Sequence, residues 1–395
     1  MRFRAFSAFL LLISGFCTAS APAATGTVAV LPFFNGGGVS NLDWIGESVA
    51  ETLRESFAGS GALTLTREDR VEVYHRLAVR PDVVLTRATV LRIGEVLDAS
   101  QVIFGQFDFV PSQAAGASRG ALKLTANVLD IRGLHQGPKF VESGPLEDLS
   151  LMESRLAWQC LKFAMPNSTP GQNDYLRNRP PVRIDAVESY VRGLMADSPD
   201  QRYKLFLQSA HLDARFSEPA FQLGQIAFEK KEYKNSSLWF AKVAPGDSHF
   251  HAAEFFLGLC QYYLGDYDGA IQALQRVAAE VPLNEVFNNL GAAQSRIGRP
   301  DALDNFRKAL EGDEADPDYW FNLGYFQWKT GRVVDAEKSL REVLARTPDD
   351  AEASSLLARI RRNEGPKSGE ALHAERIKAD FEETAFLQLK AELKK

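Results

Sequence analysis

Residues 320–348 read WFNLGYFQWKTGRVVDAEKSLREVLARTP, and their spacing decides the architecture of half the chain. Apolar side chains recur every three or four positions on both sides of Gly331, the pattern of two helices that each bury one stripe. Gly331 supplies the turn between them. Pro348 stops the second helix, because it lacks the amide proton that the next hydrogen bond needs. Gly324 and Ala336 are small enough for the two backbones to approach closely, and Leu340 fills the gap beside them. One such hairpin cannot bury its own apolar faces, so it requires neighbours.

The neighbours lie upstream. Leu-Gly recurs at Leu223–Gly224, Leu257–Gly258, Leu290–Gly291 and Leu323–Gly324, in steps of 34, 33 and 33 residues. About a dozen residues after each pair come Ser236, Ala270, Ala302 and Ala336, and four residues later Phe240, Leu274, Phe306 and Leu340. Gly265 provides a turn like that of Gly331, and Pro282 closes a unit as Pro348 does, with Pro317 slightly displaced. This pattern resembles the tetratricopeptide repeat family from about residue 184 to 363. The third unit departs from it, since IGRPDAL is one residue short and EGDEADP lengthens the next connection. The first full unit carries Ser236 where alanine is usual, and an early Pro245. Residues 186–216 look like a degenerate first repeat, and AEASSLLARIRR like a truncated closing helix.

The resemblance implies about five stacked hairpins whose first helices line a concave groove. Unit by unit, it assigns to that groove Phe221, Gln225 and Phe228, then Phe255, Leu259 and Tyr262, then Asn288, Ala292 and Ser295, then Phe321, Tyr325 and Trp328. Such an aromatic surface suits apolar anchors of a peptide or helix; the alternative is that several of these rings only pack against neighbouring helices. Lysine and arginine are sparse among these positions, so a basic clamp on a C-terminal carboxylate is not expected. Residues 364–395 open with the polar break NEGPKSGE. Ile377, Phe381, Ala385 and Leu389, spaced by four, then predict an amphipathic helix that either packs back as a cap or engages a partner.

Upstream of the repeats, TVAVLPFF and ALTLTRE read as strands, residues 44–57 as a helix with Trp44, Ile45, Val49, Leu53 and Phe57 on one stripe, and residues 86–99 as a further helix. QVIFGQFDF and ALKLTANVLDIRG predict a hairpin, and residues 146–165 a closing helix. Together they make one α/β domain over residues 25–165, separated from the repeats by a Pro-, Asn- and Arg-rich linker at 166–183. VAVLPFFNGG, LDWIGESVAETLRESF, LTLTRE and IGEVLDASQVIFGQF resemble the N-terminal domain of TolB and its relatives, a group with the FlgO-like and CsgG-like proteins. That resemblance implies a non-enzymatic domain of the bacterial envelope that works by contacts with other proteins. TolB's propeller has no counterpart here, so its partners are not carried over. Residues 1–24 read as an export signal: Arg2 and Arg4, a short apolar core, and small residues at A-x-A spacing.

The chain is 395 residues long, 45% hydrophobic and 24% charged, with a net charge of −6 and no long single-sign block. Nothing in that balance favours nucleic acid or an anionic membrane. Gly36, Gly37 and Gly38 are contiguous, unlike G-x-G-x-x-G, and no lysine follows as a Walker loop demands. They read as a mobile hinge; a nucleotide-binding or enzymatic domain using this loop is the alternative. Among six histidines only His249 and His251 are neighbours, and their spacing lacks the helical i, i+4 geometry of zinc proteases, so they read as surface loop residues. No catalytic residue, cofactor or metal site is predicted. The sequence thus predicts an α/β N-terminal domain followed by an all-α tetratricopeptide-repeat solenoid, exported to the periplasm (secretion and outer-membrane association being the alternatives), that binds segments of other envelope proteins in its groove. A self-assembling structural protein is a further possibility.

Overall fold

The structure, a computed structural model, describes residues 26–80, 83–112, 119–367, 374–383 and 386–387. The export signal read in residues 1–24 lies outside them, as do Ala385 and Leu389.

Strand β1 (Val28–Val30) and the short β2 (Phe34–Asn35) both run parallel to β3 (Gln101–Pro111). β3 pairs antiparallel along its whole length with β4 (Gly120–Asp130), whose other side carries β5 (His135–Gln136) and β6 (Phe140–Pro145). Side chains alternate across a sheet, and here the alternation sorts two cores. Val28, Val30, Ile103 and Val128 face helices α1 (Trp44–Ala58) and α4 (Leu149–Ala164). Ala29, Leu31, Val102 and Leu129 face α2 (Arg67–Arg76) and α3 (Arg87–Val96). The predicted stripe of α1 is buried throughout. Gly46 lets that helix begin against the sheet: a Cβ there would sit 2.1 Å from the Phe33 carbonyl oxygen, while Phe33 N donates to the Gly46 carbonyl at 3.0 Å.

Three local readings differ. ALTLTRE forms only a single bridge, Val28 with Thr64. The strand is cut short because Thr66 instead caps α2, exchanging hydrogen bonds with Asp69 in a capping box. The strand β6 was not predicted, since FVESGP offers little apolar alternation. The glycine triplet is a pinned turn and not a mobile hinge. Gly36 N donates to the Phe107 carbonyl at 2.8 Å, Gly38 N donates to Asn35 Oδ1 at 3.1 Å, and Asn35 Nδ2 holds Asp43 and the Val39 carbonyl.

After the short helix α5 (Gln172–Arg177) the chain is helical hairpins: α6 (Ile184–Met195) with α7 (Pro199–Leu212), α8 (Glu218–Glu229) with α9 (Tyr233–Phe240), α10 (Phe250–Leu264) with α11 (Tyr267–Glu280), α12 (Asn284–Arg296) with α13 (Ala302–Gly312), and α14 (Pro317–Lys329) with α15 (Val333–Arg346). Helix α16 (Ala351–Arg361) closes the stack. The Leu-Gly beat has a steric cause. A Cβ on Gly224, Gly258 or Gly291 would fall within 3 Å of Phe240, Leu274 or Phe306 on the paired helix. Gly193 meets Phe206 at 2.6 Å in the same way, so the degenerate first repeat packs as the others do.

The two halves are fused rather than tethered. Ile184, Val187, Tyr190, Val191 and Phe206 of the first hairpin share one continuous core with Val49, Leu53, Leu156 and Leu161 of the α/β domain. The linker contributes Tyr175, buried with its hydroxyl 2.8 Å from Ser56 Oγ. Arg192 reaches back to Asn41, and Val182 N donates to Ser150 Oγ.

Candidate functional site

The concave face of the repeats holds the chain's own residues 374–383. Ile377 and Phe381, which the four-residue spacing assigned to an amphipathic helix, lie on extended chain across α10, α12 and α14. The correction has a physical cause: the groove offers hydrogen bonds to peptide groups that a helix would keep for itself.

Those bonds come from asparagines at one repeat position, directly before Leu-Gly. Asn322 accepts from Arg376 N at 2.7 Å and donates to the Arg376 carbonyl at 2.7 Å. One repeat earlier, Asn289 accepts from Lys378 N at 2.9 Å and donates to the Lys378 carbonyl at 2.7 Å. An extended chain presents every second residue to the same side, so one repeat step matches two peptide residues. Asn288 adds a donor to the Arg376 carbonyl and accepts from Asn322 Nδ2. All three asparagines are fully buried. In the next unit the equivalent residue is Phe256, and there the clamps give way to ring packing: Phe381 stacks on Phe255 at 4.8 Å.

Charge fixes the register. The buried Glu375 carboxylate lies 2.9 Å from Arg296 Nε and 3.0 Å from Lys329 Nζ, and accepts from Ser295 Oγ at 2.6 Å. Arg296 Nε itself donates to Tyr262 Oη at 2.8 Å. The Arg376 guanidinium stands 3.7 Å over the Phe321 ring and pairs with Asp318, Asp350 and Glu352. Burial opposes its charge, but these carboxylates outweigh burial and raise its pKa. Lys378 Nζ reaches Asp316 and Asp318 at 2.7 and 2.6 Å. Again burial opposes the charge and the two aspartates prevail. Beyond Phe381, Glu382 N donates to Glu285, and His251 joins Glu383 at 2.5 Å and Glu280 at 3.1 Å. The bond to Glu383 raises the His251 pKa against the effect of burial.

The positions assigned to the groove divide into two sets. Phe255, Leu259, Tyr262, Asn288, Ser295 and Phe321 line the occupied face or the core directly beneath it. Tyr325 stacks on Phe321 and stands near Trp328. Trp328 turns away to the closing helix, where its Nε1 donates to the Glu364 carbonyl and Arg359 covers its ring. Phe221 and Phe228 pack between helices, against Phe240 and His249 and against Phe256 and Tyr233. Gln225 is half-buried on α8. Sequence reasoning missed Asn289 and Asn322, although FNNLG and FNLG repeat the asparagine in phase. It also missed the basic pair Arg296 and Lys329, which directly follow Ser295 and Trp328 in the sequence. His249 and His251 are not simple surface residues, for one packs against Phe221 and the other binds Glu383.

A second cavity, of about 300 Å³, lies where the α/β domain meets the repeats, lined among others by Glu51, Glu55, Glu153, Arg179, Tyr190, Glu218 and Asp247. Burial pushes Glu153 up to about 8 against hydrogen bonds from Ser48 and Thr52, and burial together with Asp247 pushes Glu218 up to about 8. Burial and the neighbouring Glu51 raise Glu55 as well. Among the described residues no cluster of histidine, cysteine or acidic side chains has metal-binding geometry. Cys160 and Cys260 are buried and unpaired, and burial raises both thiols, which suppresses the reactive thiolate. At the glycine turn, two of the three amides are already engaged within the domain, which takes from a phosphate the donors it would need. Among the described residues no helix is long and apolar enough to cross a membrane.

Residues 253–284 and 299–360 match models of the tetratricopeptide repeat. Among solved structures the chain is similar to YrrB, described as a TPR protein with an unusual peptide-binding site, at 19% identity over 44% of this chain and 91% of that one, with a TM-score of 0.41. It is also similar to MamA 41-end from Desulfovibrio magneticus RS-1, at 20% identity over 40% of this chain and 92% of that one, with a TM-score of 0.37. The C2221 form of MamA AMB-1 gives 22% identity over 40% and 97%, with a TM-score of 0.36. No curated protein matches the chain.

Proposed function

We propose that this chain is a non-enzymatic scaffold that binds extended segments of other proteins in the concave face of its repeats. One observation carries the reading: asparagines of successive repeats take both hydrogen-bonding groups of alternate residues in an extended peptide. Such clamps read main chain, so any segment of suitable side chains can use them. The basic head and A-x-A site of residues 1–24, with the TolB-like segments of the α/β domain, support a periplasmic setting and envelope partners. Photocrosslinkers at the rim positions Glu285 and Glu352 test the proposal in cells. Crosslinks to other proteins are expected at both positions. Crosslinks confined to the chain's own residues 374–383 would refute it. Cell fractionation with sequencing of the mature N-terminus tests the export reading, which requires a start near residue 25.

A further inference from the structure

The groove binds its present occupant through features that specify a sequence as well as a backbone. We infer that the partner's segment carries a carboxylate, a guanidinium, an aliphatic residue and an ammonium in succession, with an aromatic ring three residues further on, and that residues 375–381 are the in-chain occupant it displaces. This rests on the reading of the groove as a peptide site.

Two asparagine clamps alone would accept many registers, because every residue carries the same peptide groups. The flanking charges remove that freedom. The first side chain enters a recess built by Arg296, Lys329 and Ser295, where the Glu375 carboxylate is wholly shielded from water. A neutral residue there would leave two buried cations side by side, and a basic one would add a third. The next side chain meets the opposite field, Asp318, Asp350 and Glu352 above the Phe321 ring, which suits a planar guanidinium. The fourth meets Asp316 and Asp318. A segment with these charges exchanged sets like against like at three points, the device by which interfaces reject wrong partners. The aromatic ring falls where the asparagine ladder ends and Phe255 begins.

The occupant is covalently attached, which sets the terms of displacement. A tethered segment acts at an effective concentration of about a millimolar. A free segment of equal intrinsic affinity at about a micromolar therefore loses to it by roughly a thousandfold. The groove opens to a partner that binds more tightly, or when the tail is modified or drawn away.

The test uses the full chain and a fluorescent peptide of residues 373–387, followed by anisotropy, with circular dichroism confirming that each variant is folded. Wild type should bind weakly, and E375A/R376A, which weakens the tail, should bind at least tenfold tighter. A peptide with Glu375→Lys and Arg376→Glu should not bind that variant. Equal binding by wild type and E375A/R376A would overturn the occupant role. Equal binding of the native and charge-exchanged peptides would overturn the sequence requirement while leaving the peptide groove intact. If E375A/R376A binds neither peptide, the groove reading falls with the inference. Light scattering supplies a further check: a wild-type dimer that E375A/R376A dissolves would show the tail seated on a second copy, against an in-chain occupant.

Discussion

Replacing Asn322 with alanine should free the tail while leaving the repeats folded. The side chain makes two bonds to Arg376, both at 2.7 Å, and a third to Asn288. A neutral hydrogen bond contributes about 1 kcal/mol net, and leaving a buried partner unpaired costs about 1–3 kcal/mol. Docking should therefore weaken by about 2–4 kcal/mol, which raises the undocked population by about 30- to 1,000-fold. Trypsin reads that population directly, because it cuts after Arg376 and Lys378, whose peptide groups are shielded while the tail is seated. With opening and closing fast relative to cleavage, the rate follows the equilibrium population. Mass spectrometry of native digests should show cleavage at 376 and 378 accelerated by that factor, while cleavage at the exposed Arg362 serves as an internal standard. A ratio below about threefold would refute the reasoning, as would a wild-type tail cut as fast as the free peptide.

Other perturbations have definite signs. His251 has a raised pKa when docked, so its contribution is full below the unfolded value of about 6.5 and is lost as pH rises through the docked one. Corrected for the base catalysis intrinsic to exchange, the protection of amides around Phe381 should fall as pH rises above about 6.5, and His251→Ala should remove that pH dependence. Asp318, held low by Lys378 and Arg376 in spite of burial, and Asp350, held low by its bond to Arg376, act at the other end. Their contribution is present above about pH 4 and is lost on acidification, which native digests at low pH with pepsin should detect. Glu153 is raised to about 8, so the folded state holds its proton where the unfolded chain releases it, and stability falls from about pH 4.5 toward pH 8. Glu153→Gln should raise the unfolding free energy at pH 8 on the order of a few kcal/mol, seen as a higher melting temperature, and flatten the profile; an unchanged profile would contradict burial as the cause. Gly46→Ala should cost about 1–3 kcal/mol in denaturant unfolding, since the added methyl collides with the Phe33 carbonyl. No loss would show that α1 can shift freely.

The sequence announced the repeats because their packing rule is local. A glycine and the ring or leucine that fills it recur within one hairpin, as Gly291 and Phe306 do, so the period is visible without any partner. The stripe of α1 was legible for the same reason. The groove's occupant was not, because its contacts join residues about 50 to 130 positions apart, such as Asn322 with Arg376 and His251 with Glu383. Ile377 and Phe381 carry helical spacing, yet the peptide groups between them find better partners in Asn289 and Asn322 than in a helix. Composition leaves the aromatic positions open between groove and packing, and Phe228 and Trp328 fall on the packing side, each satisfied by its own neighbours. The fusion of the two halves was hidden by the linker, whose prolines read as spacing although Tyr175 anchors it in the core.

That shared core has a mechanical implication. A solenoid normally needs a polar end unit to keep its outermost apolar face from water, and here the sheet domain serves as the plug. The array has no free hinge at its N-terminal end, so a change of superhelical pitch around an arriving peptide must be absorbed within the repeats or passed as shear into α1 and the sheet behind it. Occupancy of the cleft and the posture of the α/β layer are thereby geared together, and severing the chain at residues 166–183 would yield two sticky fragments in place of two working modules.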